Sequence, residues 1–321
     1  RGAKRKISHM DLVATLSDPA KAQALITWNI NIAASNPDQA RLHRVLRDER
    51  LFHVAIDPFP TDTTDFADFV LPAAGFLEFD DLIAPYFHLS ISAQAKALEP
   101  MGEALPNQEI FRRLAKAMGY AGPELFEDDR TMLDALCRQA GIEDFAGLAA
   151  KGTVDIRPGP VPQFADLAFP TPSGRIEIAS EAAAADGHPR LPQPLADPRP
   201  RVGRLRLLSP ASPWLMNSSY NADPKIADKL GPETITLNAA DTARLGLRDG
   251  DTVVAANETG RLELRLAIAD IVPAGVALAH KSRWPKLSHR RANINALNPG
   301  RKADMADSSA VHSVEITLTK A

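Results

Sequence analysis

Short polar side chains gather directly after the apolar runs of this sequence. ALITW (24–28) is followed by Asn29 and Asn31, and FHVAI (52–56) by Asp57, Thr61, Asp62 and Thr63. In an open α/β sheet, ligands bind beyond the carboxyl ends of the strands, where loops and helix N-termini offer unpaired donors. A carboxylate at such an edge can accept two N–H donors from a guanine-like base, while Thr and Asn reach sugar and phosphate oxygens. The same residues are also common turn formers and helix caps, so two readings of this group stand side by side.

Two later stretches repeat the pattern. RLRLL (204–208) leads into Ser209, Ser212, Asn217, Ser218, Ser219 and Asn221, interleaved with Trp214 and Tyr220. Hydroxyls and amides beside aromatic rings suit a hydroxylated heteroaromatic ligand, and they equally suit a plain surface loop. In RRANINALNPG (290–300), Arg290 and Arg291 are placed to face phosphate, and Asn293 and Asn295 to pair with a ring edge. EFDDL (78–82) brings Glu78, Asp80 and Asp81 together, either as a cation or general-base site or as a solvated turn.

Other chemistries lack their signatures. No G-x-G-x-x-G follows a strand, and G-x-x-x-x-G-K-[ST], H-E-x-x-H, C-x-x-C and G-x-S-x-G do not occur. The eight histidines show no metal-site spacing. Cys137 is the single cysteine, which rules out an intrachain disulfide or an all-cysteine cluster within this chain and suits packing on a helix. A net charge of -3 gives no basic stripe for nucleic acid. No run approaches the roughly 20 apolar residues of a membrane span. RGAKRKISHMDLV is basic but has no apolar signal core, so it carries no readable address; the compartment stays open with the cytoplasm favoured, and any export signal would lie in a region preceding this sequence.

The elements that position these residues divide at HPRLPQPLADPRPR. This Pro-rich stretch predicts an extended linker over 188–202, between domains at 1–187 and 203–321. The first half alternates strands at 24–28, 52–56 and 69–74 with helices, one opening with Pro37 at its first position and one at 107–119 ended by glycine. That is an α/β pattern with a mainly parallel sheet, although the strands are few for a complete doubly wound domain. In the second half, RLRLLSP, ETITLN, DTVVAAN, RLELRLAIA, GVALAH and VHSVEITLTK read as strands, several of them alternating with period two. NAADTARLG reads as a helix capped by Asn238 and stopped by Gly246, and the strands close most economically as a barrel.

Taken together, WNINIAASNPDQ, DPFPTDTTDFADFVLPAAGFLEFDD, EALPNQEIFRRLAKAMG, SPASPWLMNSSYN, ITLNAADTARLGLRDGDTVVAAN and NINALNPG resemble, in order and spacing, the molybdopterin oxidoreductases of the dimethyl sulfoxide reductase and formate dehydrogenase superfamily. The resemblance covers about 24 to 321. It implies molybdenum or tungsten carried on bis(molybdopterin guanine dinucleotide). It implies that the first half is the second part of a discontinuous, partly Rossmann-like α/β domain holding a guanosine end. The second half would be a double-psi β-barrel of the aspartate decarboxylase-like kind, closing over the pterins. By motif, Asn29, Asn31, Asp57, Thr61 and Asp62 would lie near one guanosine, with Asp57 or Asp62 accepting from the guanine. Ser209, Asn217, Ser218, Asn293 and Asn295 would lie near the pterins and their phosphates.

The chain departs from the family pattern in two respects. It lacks the C-x-x-C-x-x-x-C iron–sulfur motif and the metal-ligating Ser, Cys, selenocysteine or Asp that precede these segments in relatives. It also carries Ile32 where relatives usually have proline. The resemblance therefore implies the C-terminal part of such an enzyme, or one subunit of a split one, that needs an N-terminal region or partner subunit. Any iron–sulfur cluster would belong to that other part, and a small molecule would be the substrate. The competing expectation is a non-catalytic, barrel-containing binding or accessory module.

Overall fold

Three parallel strands, β1 (Ala24–Trp28), β2 (Phe52–Asp57) and β3 (Phe69–Pro72), form a sheet in the order β1-β2-β3, with Trp28 opposite Ile56 and Asp57 opposite Pro72. The computed structural model describes residues 6–157, 159–160, 162–194, 198–303 and 307–321. Helix α1 (Leu12–Leu16), the short α2 (Ile32–Ser35) and α3 (Gln39–Leu46) accompany the sheet. Val13, Leu16, Leu42, Leu46 and Leu51 form its core, with Leu25 of β1 packed against them. α3 starts later than expected. Pro37 precedes it, and Asp38 takes the N-cap in a left-handed conformation, φ 51°.

The chain divides into two compact units, Arg1–Ala73 with Pro200–Ala321, and Ala74–Arg199. One boundary, between 199 and 200, lies inside the expected linker 188–202, and the other, after Ala73, has no counterpart in the sequence reading. Composition marked the Pro-rich stretch, but packing and hydrogen bonds join 1–73 to the later barrel. The described parts of 188–202 carry no regular structure, whereas Leu195, Ala196 and Asp197 of the expected linker, like the basic Arg1–Arg5, lie outside the described residues.

The second unit has an antiparallel sheet of β4 (Asp81–Ile83), β5 (Ser90–Gln94) and β6 (Thr153–Asp155). Its helices are α4 (Asn107–Ala117), α5 (Asp129–Gln139), α6 (Phe145–Lys151) and α7 (Glu181–Ala185). Asp128 and Asp144 cap α5 and α6 by accepting from Thr131 N–H at 3.0 Å and Gly147 N–H at 2.7 Å. Cys137 packs with Leu133, Phe145 and Leu148, and burial pushes its thiol pKa up. It is a packing residue, as its place in TMLDALCRQAG suggests. The carboxylates of EFDDL are engaged in turns. Glu78 accepts from Gly75 and Met101 N–H at 2.6 and 3.0 Å, Asp80 from Lys96 N–H at 2.7 Å, and Asp81 from Leu82 N–H at 2.8 Å.

In the first unit, β7 (Leu205–Leu208), β8 (Thr234–Leu237), β9 (Thr252–Ala256), β10 (Arg261–Ile268), β11 (Val276–Leu278) and β12 (Glu315–Lys320) close a barrel in the order β10-β8-β11-β7-β12-β9. The pairs β10–β8 and β11–β7 are parallel, and the others are antiparallel. Alternate residues point inward: Leu205 and Leu207, Ile235 and Leu237, Val253 and Ala255, Leu262, Leu264 and Leu266, and Ile316 and Leu318. Each of the larger side chains contributes about 1.5–3 kcal/mol by burial. α8 (Pro224–Leu230) and α9 (Ala239–Leu245) lie between barrel strands. Asn238 caps α9 by accepting from Ala240 N–H at 3.0 Å, and Gly246 ends it at φ 66°.

At the turn after β9, Asn257 accepts from Gly260 N–H at 3.2 Å and donates to Leu297 O at 2.7 Å. A Cβ on Gly260 would lie 2.5 Å from Ala296 O, a backbone atom that cannot swing away. Gly260→Ala is therefore expected to lower stability by about 1–3 kcal/mol, the range for forcing an extra methyl into a packed site. A fall in the denaturant midpoint at unchanged m-value would report it, and an unchanged midpoint would show that the loop yields.

Candidate functional site

The carboxyl ends of β1 and β2 lie side by side. Asn29 donates its backbone N–H to Ile56 O at 2.8 Å, which sets it beside Asp57. Asn29 is exposed and left-handed, φ 49°, a conformation Asn tolerates better than most residues. Its side chain makes no hydrogen bond among the described residues. Asp57 is 9% exposed, and its carboxylate accepts from Phe59 N–H at 2.9 Å. Burial raises its pKa, and the Phe59 N–H pulls it partly back. A half-satisfied carboxylate thus stands at the edge of the sheet.

The other expected residues of this edge are tied to one another. Asn31 donates to Asp62 at 3.0 Å and accepts from Thr63 N–H and hydroxyl at 3.2 and 2.9 Å. The Thr63 hydroxyl accepts from Ala33 N–H at 3.0 Å, which pins the start of α2. Thr61 Oγ1 accepts from Thr64 N–H at 3.4 Å, and its carbonyl accepts from Thr64 Oγ1 at 2.8 Å. The second carboxylate oxygen of Asp62 accepts from Lys286 N–H. Asn31, Thr61 and Asp62, all at most 4% exposed, therefore shape the loop on which Asp57 is presented.

On the barrel, β7 and β11 run parallel, so the residues after their ends are neighbours. Ala279 donates to Leu208 O and Lys281 to Pro210 O, both at 3.0 Å, and the His280 ring nitrogen Nδ1 lies 3.1 Å from Ala211 O. The hydroxyl of half-buried Ser209 has no hydrogen-bond partner among the described residues. Asn217 is exposed at φ 52°, with an equally free amide. Ser218 uses its carbonyl, which accepts from Asn221 at 3.3 Å and the Trp284 indole at 2.7 Å, and leaves its hydroxyl free. A cavity of about 190 Å³ has Ser212, Trp214, Lys229, Glu233, His280 and Lys281 in its wall, but not Ser209, Asn217 or Ser218. Lys229 lies 4.3 Å from the Trp214 ring centre, a cation–π contact. Burial pushes the pKa of Glu233 up despite the Ser288 hydroxyl donating to it at 2.8 Å, and burial pushes that of Arg283 down despite Glu233 nearby.

Asn293 is 2% exposed and fully engaged. Its oxygen accepts from Gln39 at 3.0 Å and Asn295 N–H at 2.9 Å, and its amide donates to Ala34 O and Arg283 O at 2.8 and 2.7 Å. Its backbone N–H donates to Gln39 Oε1 at 3.1 Å, completing a two-bond clamp. Asn295 donates to Ala34 O at 2.9 Å and keeps its oxygen free. Arg290 pairs with Glu263, and Arg291 is exposed at φ 50°. A second cavity, about 380 Å³, has His43, Arg47, Asp62, Asp65, Lys286 and Arg291 in its wall, but neither Asn29 nor Asp57.

Sequence reasoning missed Gln39, His280, Lys281, Arg283 and Lys286. Gln39 carries a readable signal, a polar residue on the stripe of α3 that continues as Leu42 and Leu46. His280 and Lys281 directly follow a strand, so the rule that picked out Ser209 applies to them as well. Lys286 gives no local signal, because its partners lie more than 220 residues away. Among the described residues, no group of three or more His, Cys, Asp or Glu is arranged to hold a metal ion, and no helix is long and apolar enough to cross a membrane.

Residues 4–117 match the family model described as molybdopterin oxidoreductase, and residues 205–315 match the model described as molydopterin dinucleotide binding domain. The chain is 28% identical over 313 residues to "Probable oxidoreductase YoaE" of Bacillus subtilis, covering 93% of this chain and 44% of that protein. It is 25% identical over 260 residues to a dimethyl sulfoxide/trimethylamine N-oxide reductase of Cereibacter sphaeroides, covering 70% of this chain and 31% of that protein. The solved structure of acetylene hydratase from Pelobacter acetylenicus superposes with a TM-score of 0.81 over 98% of this chain and 46% of that one, at 19% identity, a likeness of fold. The chain thus spans less than half the length of these relatives.

Proposed function

Because this chain belongs to the molybdopterin oxidoreductase family, we propose that the unit formed by 1–73 and 200–321 holds a molybdopterin guanine dinucleotide for an oxidoreductase. The observation that carries this reading is Asp57, a nearly buried carboxylate at a strand end with one internal partner and capacity for more. Two parallel N–H donors, as on the edge of guanine, match that vacancy. Asn29 beside it supplies a free amide for the base or sugar. Asn31, Thr61 and Asp62 act on the ligand indirectly by fixing the loop. Asp57 is favoured over Asp62 as the guanine acceptor, since it keeps one oxygen without a partner among the described residues whereas each Asp62 oxygen already accepts one bond.

On the barrel, Ser209, Asn217, Ser218 and Asn295 offer free hydroxyls or amides to the pterins and their phosphates, with Lys281 and His280 as neighbouring donors. Asn293 supports them by holding the loop. The finer fold readings have two supports. Two parallel pairs among antiparallel ones suit a double-psi connectivity. The exposed Ile26, Phe52 and Phe69 of the sheet suit a partial Rossmann-like domain, since parallel sheets are normally covered on both faces. When bound, bis(molybdopterin guanine dinucleotide) supplies the two-electron chemistry of molybdenum or tungsten, for oxygen-atom transfer or dehydrogenation of a small substrate. The residues of this chain bind it, orient it and limit water around it.

The test is chemical. The protein purified in its native sequence context should contain molybdenum or tungsten and release a guanine-containing pterin on denaturation. A well-folded preparation with neither would overturn the reading and leave the barrel as a binding or accessory module.

A further inference from the structure

We propose that Lys286 is a positioning residue that couples the Asp57 loop to the ligand loops of the barrel, so that a nucleotide seated at Asp57 also orders residues 209–221 and 283–298. This rests on the guanosine reading of Asp57 given above. The backbone N–H of Lys286 donates to Asp62, and its ammonium donates to Pro60 O at 2.7 Å, Thr61 O at 3.3 Å and Asp65 at 2.7 Å. One residue therefore takes four acceptors on a six-residue stretch that begins three residues after Asp57. Its side chain is only 22% exposed, so these bonds are partly shielded from water.

The same short segment reaches the barrel loops. Trp284 N–H donates to Asn221 Oδ1 at 3.0 Å, and its indole donates to Ser218 O at 2.7 Å, holding the loop that carries Asn217 and Ser218. Arg283 O accepts from Asn293 at 2.7 Å, which in turn binds Asn295 N–H. Residues 283–286 are thus a node with one arm to the Asp57 loop and two to the barrel loops. Ordering any one arm lowers the entropy cost of ordering the others, so ligand binding at one end favours the bound arrangement at the other. The Gln39–Asn293 clamp joins the same parts independently of Lys286. Loss of the Lys286 ammonium removes three of the four bonds and keeps the backbone one, so it should weaken the coupling of the loops without separating them.

Hydrogen exchange of the full chain, titrated with guanosine diphosphate and with adenosine diphosphate as control, tests this. Guanosine diphosphate should slow exchange in 209–221 and 283–298 of the native protein. Lys286→Met should still bind the nucleotide, within a few-fold, yet lose most of that slowing. Lys286→Arg should restore it, because guanidinium can reach the same carbonyls and Asp65. Asp65→Asn keeps the carbonyl acceptors and should lose part of the slowing, which gives a readout even if Lys286→Met folds poorly. Binding to the native protein without slowing, or equal slowing in Lys286→Met, overturns the coupling and leaves the guanosine reading intact. No binding to the native protein overturns the guanosine reading and the coupling with it.

Discussion

Asp57→Asn should weaken guanine-nucleotide binding by roughly tenfold to a hundredfold, the loss of one or two charge-assisted hydrogen bonds. An asparagine offers a single acceptor and turns an N–H toward the donors of the base, so a near-isosteric change suffices. Folding should survive, because among the described residues the carboxylate has only the Phe59 N–H as an internal partner, and the amide oxygen can still accept it. The pH dependence has a definite sign. Burial raises the Asp57 pKa, so the folded state holds its proton to higher pH than the unfolded chain does. Between the ordinary carboxylate value and the raised one, stability without ligand falls as pH rises. Asp57→Asn removes that decline and should stabilise the empty protein near neutrality. Nucleotide affinity should rise with pH through the same window, because the acceptor is the ionised form. Titration calorimetry and thermal melts across that window check both trends. Unchanged affinity in the variant would reduce Asp57 to a turn residue.

Asn293→Ala should be the more damaging change to the fold. It removes four side-chain hydrogen bonds at a site 2% exposed and leaves Asn295 N–H and part of Gln39 without their partners. Buried groups left unpaired cost about 1–3 kcal/mol each, partly recovered by relaxation, so a net loss of about 2–4 kcal/mol is expected. In a unit of this size that lowers the melting temperature by roughly 5–15 °C. Asn295→Ala, which removes one bond at a half-buried position, should shift it much less. Equal shifts in the two variants would mean that the Gln39–Asn293 clamp does not hold the loop of α2 and α3 to the barrel.

The contrast between these two residues also shows what is local in the sequence. Asn29, Asp57 and Ser209 stand at the ends of strands, and strand ends are local. β1, β2 and the six barrel strands begin and end close to where alternation and turn residues put them, and Asn238 and Gly246 bound α9 as expected. Asn293 and Asn31 have the residue types of ligand contacts and make internal hydrogen bonds with their side chains, and nothing local tells the two uses apart. Hydrogen-bond capacity is written in the side chain, but whether it is already spent depends on partners such as Gln39, 254 residues away. Division into units follows the same logic. A Pro-rich stretch is visible as composition, whereas the joining of 1–73 to 200–321 is made by Gln39, Asn293, Asp62 and Lys286. By itself, then, the sequence determined the strands of the parallel sheet and of the barrel, since periodicity, caps and turn residues act over a few positions, whereas β4, β5 and β6 lie in stretches that read as irregular. Only the tertiary structure decided that Asp62 spends its oxygens on Asn31 and on a backbone N–H 224 residues away, while one oxygen of Asp57 has no partner among the described residues.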